Sequence, residues 1–369
     1  MHTSRKLTIC KDNRPCYDIL YSHDINELTQ AIKQLGLMEH KILIVTDSNV
    51  GPLYADQIAA ACGGAPVYTL PAGEENKNLQ QIQNIYRYLI ENRYDRKSCL
   101  IALGGGVVGD MTGFAAATYL RGIGFVQIPT TLLSQADSSI GGKTGVDFEG
   151  YKNMVGAFHM PKLVFADTDF LQTLDGRQFS SGFAEIMKHG LIRDEAYYVW
   201  LIEHMEQIMD RDPETLTQML YRSNEIKKEI VEEDPFENGS RTLLNFGHTV
   251  GHAIEKYENF TLTHGECVAL GCVAAAFISY KRNLLSWEEY YEIRDMFVPF
   301  GLPISLAQVD AQKVLALTKS DKKAADGRIR FVLLQGIGHA FTDMTVNDNE
   351  IISAIEELDF SRKTGEYAK

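Results

Sequence analysis

Apolar residues in the first half of the chain come in short unbroken runs, each closed by a polar turn and followed by a segment of helical spacing. Residues 41–46 (KILIVT) form one such run, ending at Asp47-Ser48-Asn49, and residues 66–70 form another, ending at Pro71-Ala72-Gly73-Glu74. Residues 80–92 place Ile82, Ile85, Tyr86 and Leu89 on one helical face. The run at 98–103 leads straight into Gly104-Gly105-Gly106, after which 111–120 can open a helix. Further strands are expected at 124–129 and 162–167. Strand, helix, strand, glycine turn and helix is the order of a parallel α/β sheet.

Past residue 178 the spacing changes. Helices are expected at 179–192, 194–209, 213–233, 247–258, 265–281 and 286–297, with 329–334 as the one strand-like run. The pattern therefore predicts two domains: an α/β domain over 1–178 and a mainly α-helical domain over 179–369. A length of 369 residues suits two packed cores. No internal repeat is visible, and residues 361–369 look frayed.

Composition narrows the partners. A net charge of −13 argues against general attraction to nucleic acid or anionic lipid, although it leaves room for a local basic pocket. Six cysteines without a CxxC pair read as reduced thiols of a cytoplasmic protein. Residues 1–12 lack the apolar core of a signal peptide. The longest uncharged apolar stretch, 267–280, is well short of the roughly 20 residues a membrane span needs. A soluble protein acting on a small molecule is expected.

Three features carry chemistry. Gly104-Gly105-Gly106-Val107-Val108-Gly109 satisfies GxGxxG at the end of a strand, where glycines admit a pyrophosphate and a helix start offers free N–H groups. No acidic residue ends a strand about 20 residues later; Asp47, at the end of an earlier strand, is the candidate for a ribose hydroxyl. In residues 245–252 (NFGHTVGH), His248 and His252 share one helical face, with His264 following and Glu185 upstream beside Lys188 and His189. Imidazoles with a carboxylate suit a catalytic zinc site, and spacing does not say which two histidines bind. Cations recur beside small polar residues in segments that look like loops or helix ends: Arg121, Lys143, Lys152-Asn153, Lys188, Lys227, Arg241 and Lys322-Lys323. Gathered, they would hold a phosphate and a carboxylate.

Taken together, LGGGVVGDMTGFAAATYLRG, QIPTTLLSQADSSIGGKTGVD, YKNMVGAF, SGFAEIMKHGLI, LLNFGHTVGHAIE, THGE and SDKK, in this order between about residues 41 and 334, resemble the 3-dehydroquinate synthases. The resemblance implies an NAD-binding α/β domain, a helical domain holding zinc or cobalt, and a homodimer. It implies Glu185, His248 and His264 as metal ligands, with His252 turned to the phosphate. NAD contacts would fall on Asp47, Glu74, Lys77, Gly105, Gly106, Asp110, Thr130, Thr131, Lys143, Lys152, Phe170 and Thr173. Substrate contacts would be Asp137, Lys143, Asn153, Lys188, Lys227, Arg241, Asn245, His252 and Lys323, with Arg121 reaching across the dimer. The implied reaction converts 3-deoxy-D-arabino-heptulosonate 7-phosphate to 3-dehydroquinate and phosphate, through transient oxidation by NAD, elimination, re-reduction and aldol closure. Two departures stand out: Asp175-Gly176-Arg177-Gln178 replaces a usual Pro-Arg-Glu run, and Asp147 replaces an Asn. The alternatives are another sugar phosphate cyclase, disfavoured by Arg241 with Asn245, and a metal-dependent polyol dehydrogenase, which would leave the phosphate-side cations without use.

Overall fold

The apolar runs at 42–47, 99–104, 124–129 and 163–166 become neighbouring strands buried on both faces, as a central strand between helical layers must be, whereas 67–70 becomes an edge strand with only Leu70 buried. The computed structural model describes residues 4–234, 239–321 and 330–362. Contacts divide the chain into one unit of Met1–Leu174 with Leu216–Lys228 and a second of Asp175–Thr215 with Glu229–Lys369.

The first unit runs β1 (Arg5–Lys11), β2 (Arg14–Tyr21), α1 (Ile25–Gln34), β3 (Ile42–Asp47), α2 (Gly51–Ala61), β4 (Val67–Leu70), α3 (Leu79–Glu91), β5 (Cys99–Gly104), α4 (Gly106–Thr118), β6 (Gly124–Pro129), β7 (Lys143–Phe148), β8 (Tyr151–Phe158) and β9 (Leu163–Ala166). Among the described residues its main sheet has the order β1-β2-β9-β6-β5-β3-β4, parallel except for β1. Alternation along β3 sends Ile44 to a core with Leu28, Ile32 and Ile58 of α1 and α2. Leu43 and Val45 go to the opposite core, with Ile82, Ile85 and Leu89 of α3 and Met111 and Phe114 of α4. The chain leaves β3 toward β4 and returns to pair β5 on the other side of β3, so the sheet reverses direction between β3 and β5. Ligands of open α/β sheets bind at such a switch point, beyond the carboxyl ends of the strands. Asp47 and Gly104 are the residues at those two ends.

The second unit contains α5 (Gly176–Arg193), α6 (Glu195–Glu203), α7 (Met205–Met209), the ends of α8 (Pro213–Glu233), α9 (His248–Tyr257), α10 (His264–Lys281), α11 (Trp287–Asp295), α12 (Ala311–Asp321), β10 (Phe331–Leu334), β11 (Ala340–Asp343) and α13 (Asp348–Glu357). The stretch 267–280 is the middle of α10, buried on every side and packed by α5, α9, α11 and α13. A helix with no polar face is what such a position requires. No helix among the described residues is long and apolar enough to cross a membrane.

Several expectations need correction. Lys143 and Lys152-Asn153 lie on the β7–β8 hairpin rather than in loops, a pairing that sets Gly145 against Gly156. The helix expected at 194–209 is broken between α6 and α7 at His204, whose backbone leaves the helical region. The strand at 331–334 has a partner, β11, too short and polar to show as an apolar run. Residues 216–228, which helical spacing assigns to the second domain, group with the first unit. A 3.6-residue period reveals a buried face but not which core covers it.

Candidate metal centre and nucleotide turn

Glu185, Lys188, His248 and His264 meet in the second unit, from α5, the first residue of α9 and the first residue of α10. Close backbone packing brings them together. A Cβ on Gly271 of α10 would lie 1.8 Å from the Gly247 carbonyl, and one on Gly251 would lie 2.7 Å from the Cys267 carbonyl. Helices α9 and α10 therefore approach with no side chain between them. Gly247 precedes α9 at φ +78°, a left-handed conformation that glycine adopts without strain.

The electrostatics are specific. Glu185 is fully buried, and its Oε2 accepts from Lys188 Nζ. Burial would raise this carboxyl, but the Lys188 ammonium and the His248 and His264 imidazoles outweigh it and hold the group well below the ordinary carboxylate range. The remaining oxygen, Oε1, lies 3.4 Å from Nε2 of His248 and 3.4 Å from Nε2 of His264, and has no hydrogen-bond partner. His248 Nδ1 is 3.1 Å from the Phe246 carbonyl, which can only accept, so Nδ1 carries the proton. Burial drives His248 well below its usual pKa, leaving it neutral with the Nε2 lone pair directed at Glu185 Oε1. Two acceptors facing each other repel unless a cation lies between them. A tetrahedral ion bonded at about 2.0–2.1 Å holds its ligand atoms roughly 3.3–3.4 Å apart, the separation found here. The three residues fit a divalent metal.

His252, one turn along α9, packs its ring 5.1 Å from that of His248 and 6.0 Å from that of His264, so all three imidazoles cluster while Glu185 faces only two of them closely. The Phe246 carbonyl, which orients His248, also accepts from Cys272 Sγ at 3.9 Å; no motif marks a backbone oxygen, and sequence reading missed it. Arg241 and Asn245 share one short 3₁₀ helix, Ser240–Asn245, with Arg241 only 2% exposed and its N–H donating to Asp234. Lys323 lies outside the described residues.

In the first unit the glycine turn joins β5 to α4. Gly105 is the N-cap and contributes no side-chain cap, so the first-turn amides of α4 lack one. Gly106 begins the helix; a Cβ there would meet Ser138 Oγ at 3.1 Å, and one on Gly105 would meet Thr131 Cγ2 at 3.0 Å. Thr130 donates its N–H to the Gly104 carbonyl, and its buried hydroxyl has no hydrogen-bond partner. Asp47 Oδ1 accepts from the N–H groups of Asn49 and Val50, which fixes the loop after β3. Phe170 and Thr173 lie on a 3₁₀ helix, Thr168–Thr173, against Tyr54, whose hydroxyl is 2.5 Å from Thr173 Oγ1. Uncapped amides, an orphan hydroxyl and a carboxylate at the switch point fit a dinucleotide.

Other expected contacts fall together within this unit. Buried Lys77 donates to Asp110 Oδ2 at 2.7 Å and to Asn153 Oδ1 at 2.6 Å, linking two residues expected at NAD with one expected at substrate. Burial lifts the Asp110 carboxyl; it also opposes the Lys77 charge, but Asp110 and Glu74 carry that ammonium above its ordinary value. Lys152 reaches Glu74 only at 3.9 Å, on the surface. Lys227, on α8, donates to the Asp137 backbone carbonyl and to its Oδ1 at 2.6 Å. Lys143 and Arg121 are exposed, Arg121 on a left-handed pair with Leu120.

The chain has the fold of solved sugar phosphate cyclases. The chain superposes on 2-deoxy-scyllo-inosose synthase complexed with carbaglucose-6-phosphate, NAD⁺ and Co²⁺ with a TM-score of 0.86 and 27% identity, over 96% of this chain and 100% of that one. It matches the 2-epi-5-epi-valiolone synthase of Streptomyces hygroscopicus subsp. jinggangensis, solved with NAD⁺ and Zn²⁺, with a TM-score of 0.85 and 28% identity, over 95% and 99% of the two chains. The profile for the 3-dehydroquinate synthase N-terminal region matches residues 67–181, and that for the C-terminal region matches 182–324. The 3-dehydroquinate synthase of Ruminiclostridium cellulolyticum is 44% identical over 343 residues, 92% of this chain and 95% of that enzyme. This chain belongs to the 3-dehydroquinate synthase family.

Proposed function

We infer that this protein converts 3-deoxy-D-arabino-heptulosonate 7-phosphate to 3-dehydroquinate and inorganic phosphate, using NAD⁺ and a divalent zinc or cobalt ion. The observation that carries the metal requirement is Glu185 Oε1 opposed at 3.4 Å by the Nε2 atoms of His248 and His264. When bound, the ion supplies a Lewis acid for sugar hydroxyls and NAD⁺ a reversible hydride acceptor, so the cofactor ends as it began. Within the helical unit, Lys188 keeps Glu185 ionised and Phe246 keeps the His248 proton on Nδ1. Arg241 and Asn245 are assigned to the substrate carboxylate and His252 to its phosphate. Within the α/β unit, Asp47, Thr130, Thr131 and the Gly105–Gly106 amides are assigned to the dinucleotide.

Enzyme incubated with the heptulosonate, NAD⁺ and zinc should release one phosphate per turnover with no NADH accumulating at 340 nm. Stoichiometric NADH would point to an ordinary dehydrogenase. Chelation should abolish turnover, and zinc or cobalt should restore it.

The partner is a second copy of the chain. Strand β8 pairs with β7 alone among the described residues, and the hairpin exposes Phe148, Tyr151, Met154 and Phe158. An apolar strand edge of this kind is ordinarily covered. Sedimentation should give a dimer, and Met154→Glu with Phe158→Glu should shift it toward monomer; a wild-type monomer would refute the assignment. Six cysteines without a CxxC pair suit a reducing cytoplasm, where we place the protein.

A further inference from the structure

The three metal-pocket residues are not held equally. The side chains of Glu185 and His248 are 1% and 14% exposed, whereas that of His264 is 31% exposed. His264 is also the first residue of α10, entered from a segment in which Asn259 and Phe260 have left-handed backbone. Helix ends fray, and a ligand at such a position needs an external hold.

That hold comes from α5. Arg177, Ser181 and Glu185 recur at four-residue intervals and so lie along one stripe of the helix. Glu185, the last of them, meets His264. One turn earlier, Ser181 Oγ accepts from the Gly265 N–H at 3.0 Å, and a Cβ on Gly265 would fall 1.9 Å from the Ser181 carbonyl. Another turn earlier, Arg177 donates through Nε to Glu266 Oε1 at 2.8 Å, and through Nη2 to Glu266 Oε2 at 2.7 Å and the Thr261 carbonyl at 2.9 Å. Glu266 Oε2 also accepts from the Thr263 N–H, completing the capping box of α10. One guanidinium thus grips the segment before His264 and the residue two beyond it.

We propose that Arg177 is a positioning residue of the metal pocket, acting through Glu266 and the Thr261 carbonyl to hold His264 Nε2 on the ion it shares with Glu185. This rests on the metal reading above. The surface position of the pair makes its own strength modest; its effect lies in restricting where the first turn of α10 can move. The planar fork of arginine matches both carboxylate oxygens, a fit lysine does not reproduce.

The test compares wild type, Arg177→Gln and Arg177→Lys by zinc competition against a chromophoric chelator, the ligand-field absorption of the cobalt-substituted protein, NAD⁺ affinity and thermal midpoint. Arg177→Gln should weaken zinc binding by about 10–100-fold, the usual range for outer-shell partners. Its cobalt band should change and its NAD⁺ affinity should hold. Arg177→Lys should recover part of the loss, and if Arg177→Gln does not fold, the lysine variant should show the same changes at smaller size. Wild-type zinc affinity and an unchanged cobalt band in the variants would overturn the proposal, whatever happens to the melting temperature. A wild-type protein that binds no zinc would instead defeat the metal reading on which it stands.

Discussion

In the helical unit, side chains from three helices converge on one point, and they do so because Gly247, Gly251, Gly265 and Gly271 let backbones nearly touch. In the α/β unit, the groups proposed to hold the dinucleotide are mostly main-chain amides of one turn, with Thr130, Thr131 and Asp47 set around them by the ends of neighbouring strands. The first site is thus a packing solution and the second a backbone solution. A volume change should damage the first through the whole fold around it, and the second only through its ligand.

The largest expected effect is at the buried charge pair. Glu185→Gln leaves Lys188 buried without its counter-ion, which should cost about 3–5 kcal/mol in urea unfolding and remove bound zinc. Retention of full metal content would break the account of the pocket. Next comes Gly271→Ala, whose added carbon cannot fit 1.8 Å from the Gly247 carbonyl. Overpacking of this kind should cost about 1–3 kcal/mol or more, and the unfolding midpoint will report it.

A third experiment probes the α/β unit by pH. His23 Nδ1 lies 3.0 Å from Asp169 and 3.2 Å from Asp167, and these partners, Asp167 foremost, raise its pKa. Stabilisation by a raised group is complete below its unfolded value, near ~6.5, and is lost as pH climbs through the higher folded value. His23→Gln should therefore lose about 1 kcal/mol more at pH 5.5 than at pH 8.5; an equal loss at both would remove the charged-state argument. The smallest stability effect is expected for Gly105→Ala, whose φ of −74° any residue adopts. It should change unfolding by less than about 1 kcal/mol while weakening NAD⁺ about tenfold in a titration, because the methyl crowds Thr131. A large stability loss there would erase the distinction between the two sites.

Much of this was legible beforehand because burial on both faces leaves a plain trace. The runs at 41–46, 98–103 and 124–129 became β3, β5 and β6, and the apolar 267–280 became the centre of α10. The hairpins β1–β2 and β7–β8 left a weaker trace: β8 has one free edge, and exposed strands carry mixed residues. Arg177 showed itself only as part of a departure from the family run, since its partner Glu266 is distant in sequence.

By itself the sequence determined the alternation of strands and helices, the glycine turn at the end of β5 and the short list of acids and imidazoles from which a metal pocket could be made. These depend on neighbours within a few residues, where period and residue type carry the information. Only the tertiary structure decided that Glu185 faces His248 and His264 rather than His252 at 3.4 Å, that Lys77 joins Asp110 to Asn153, and that residues 216–228 serve the α/β unit. Each of those outcomes joins segments far apart in sequence, at the metal cluster through close glycine contacts and at Lys77 through side-chain hydrogen bonds, and no local pattern records such pairings.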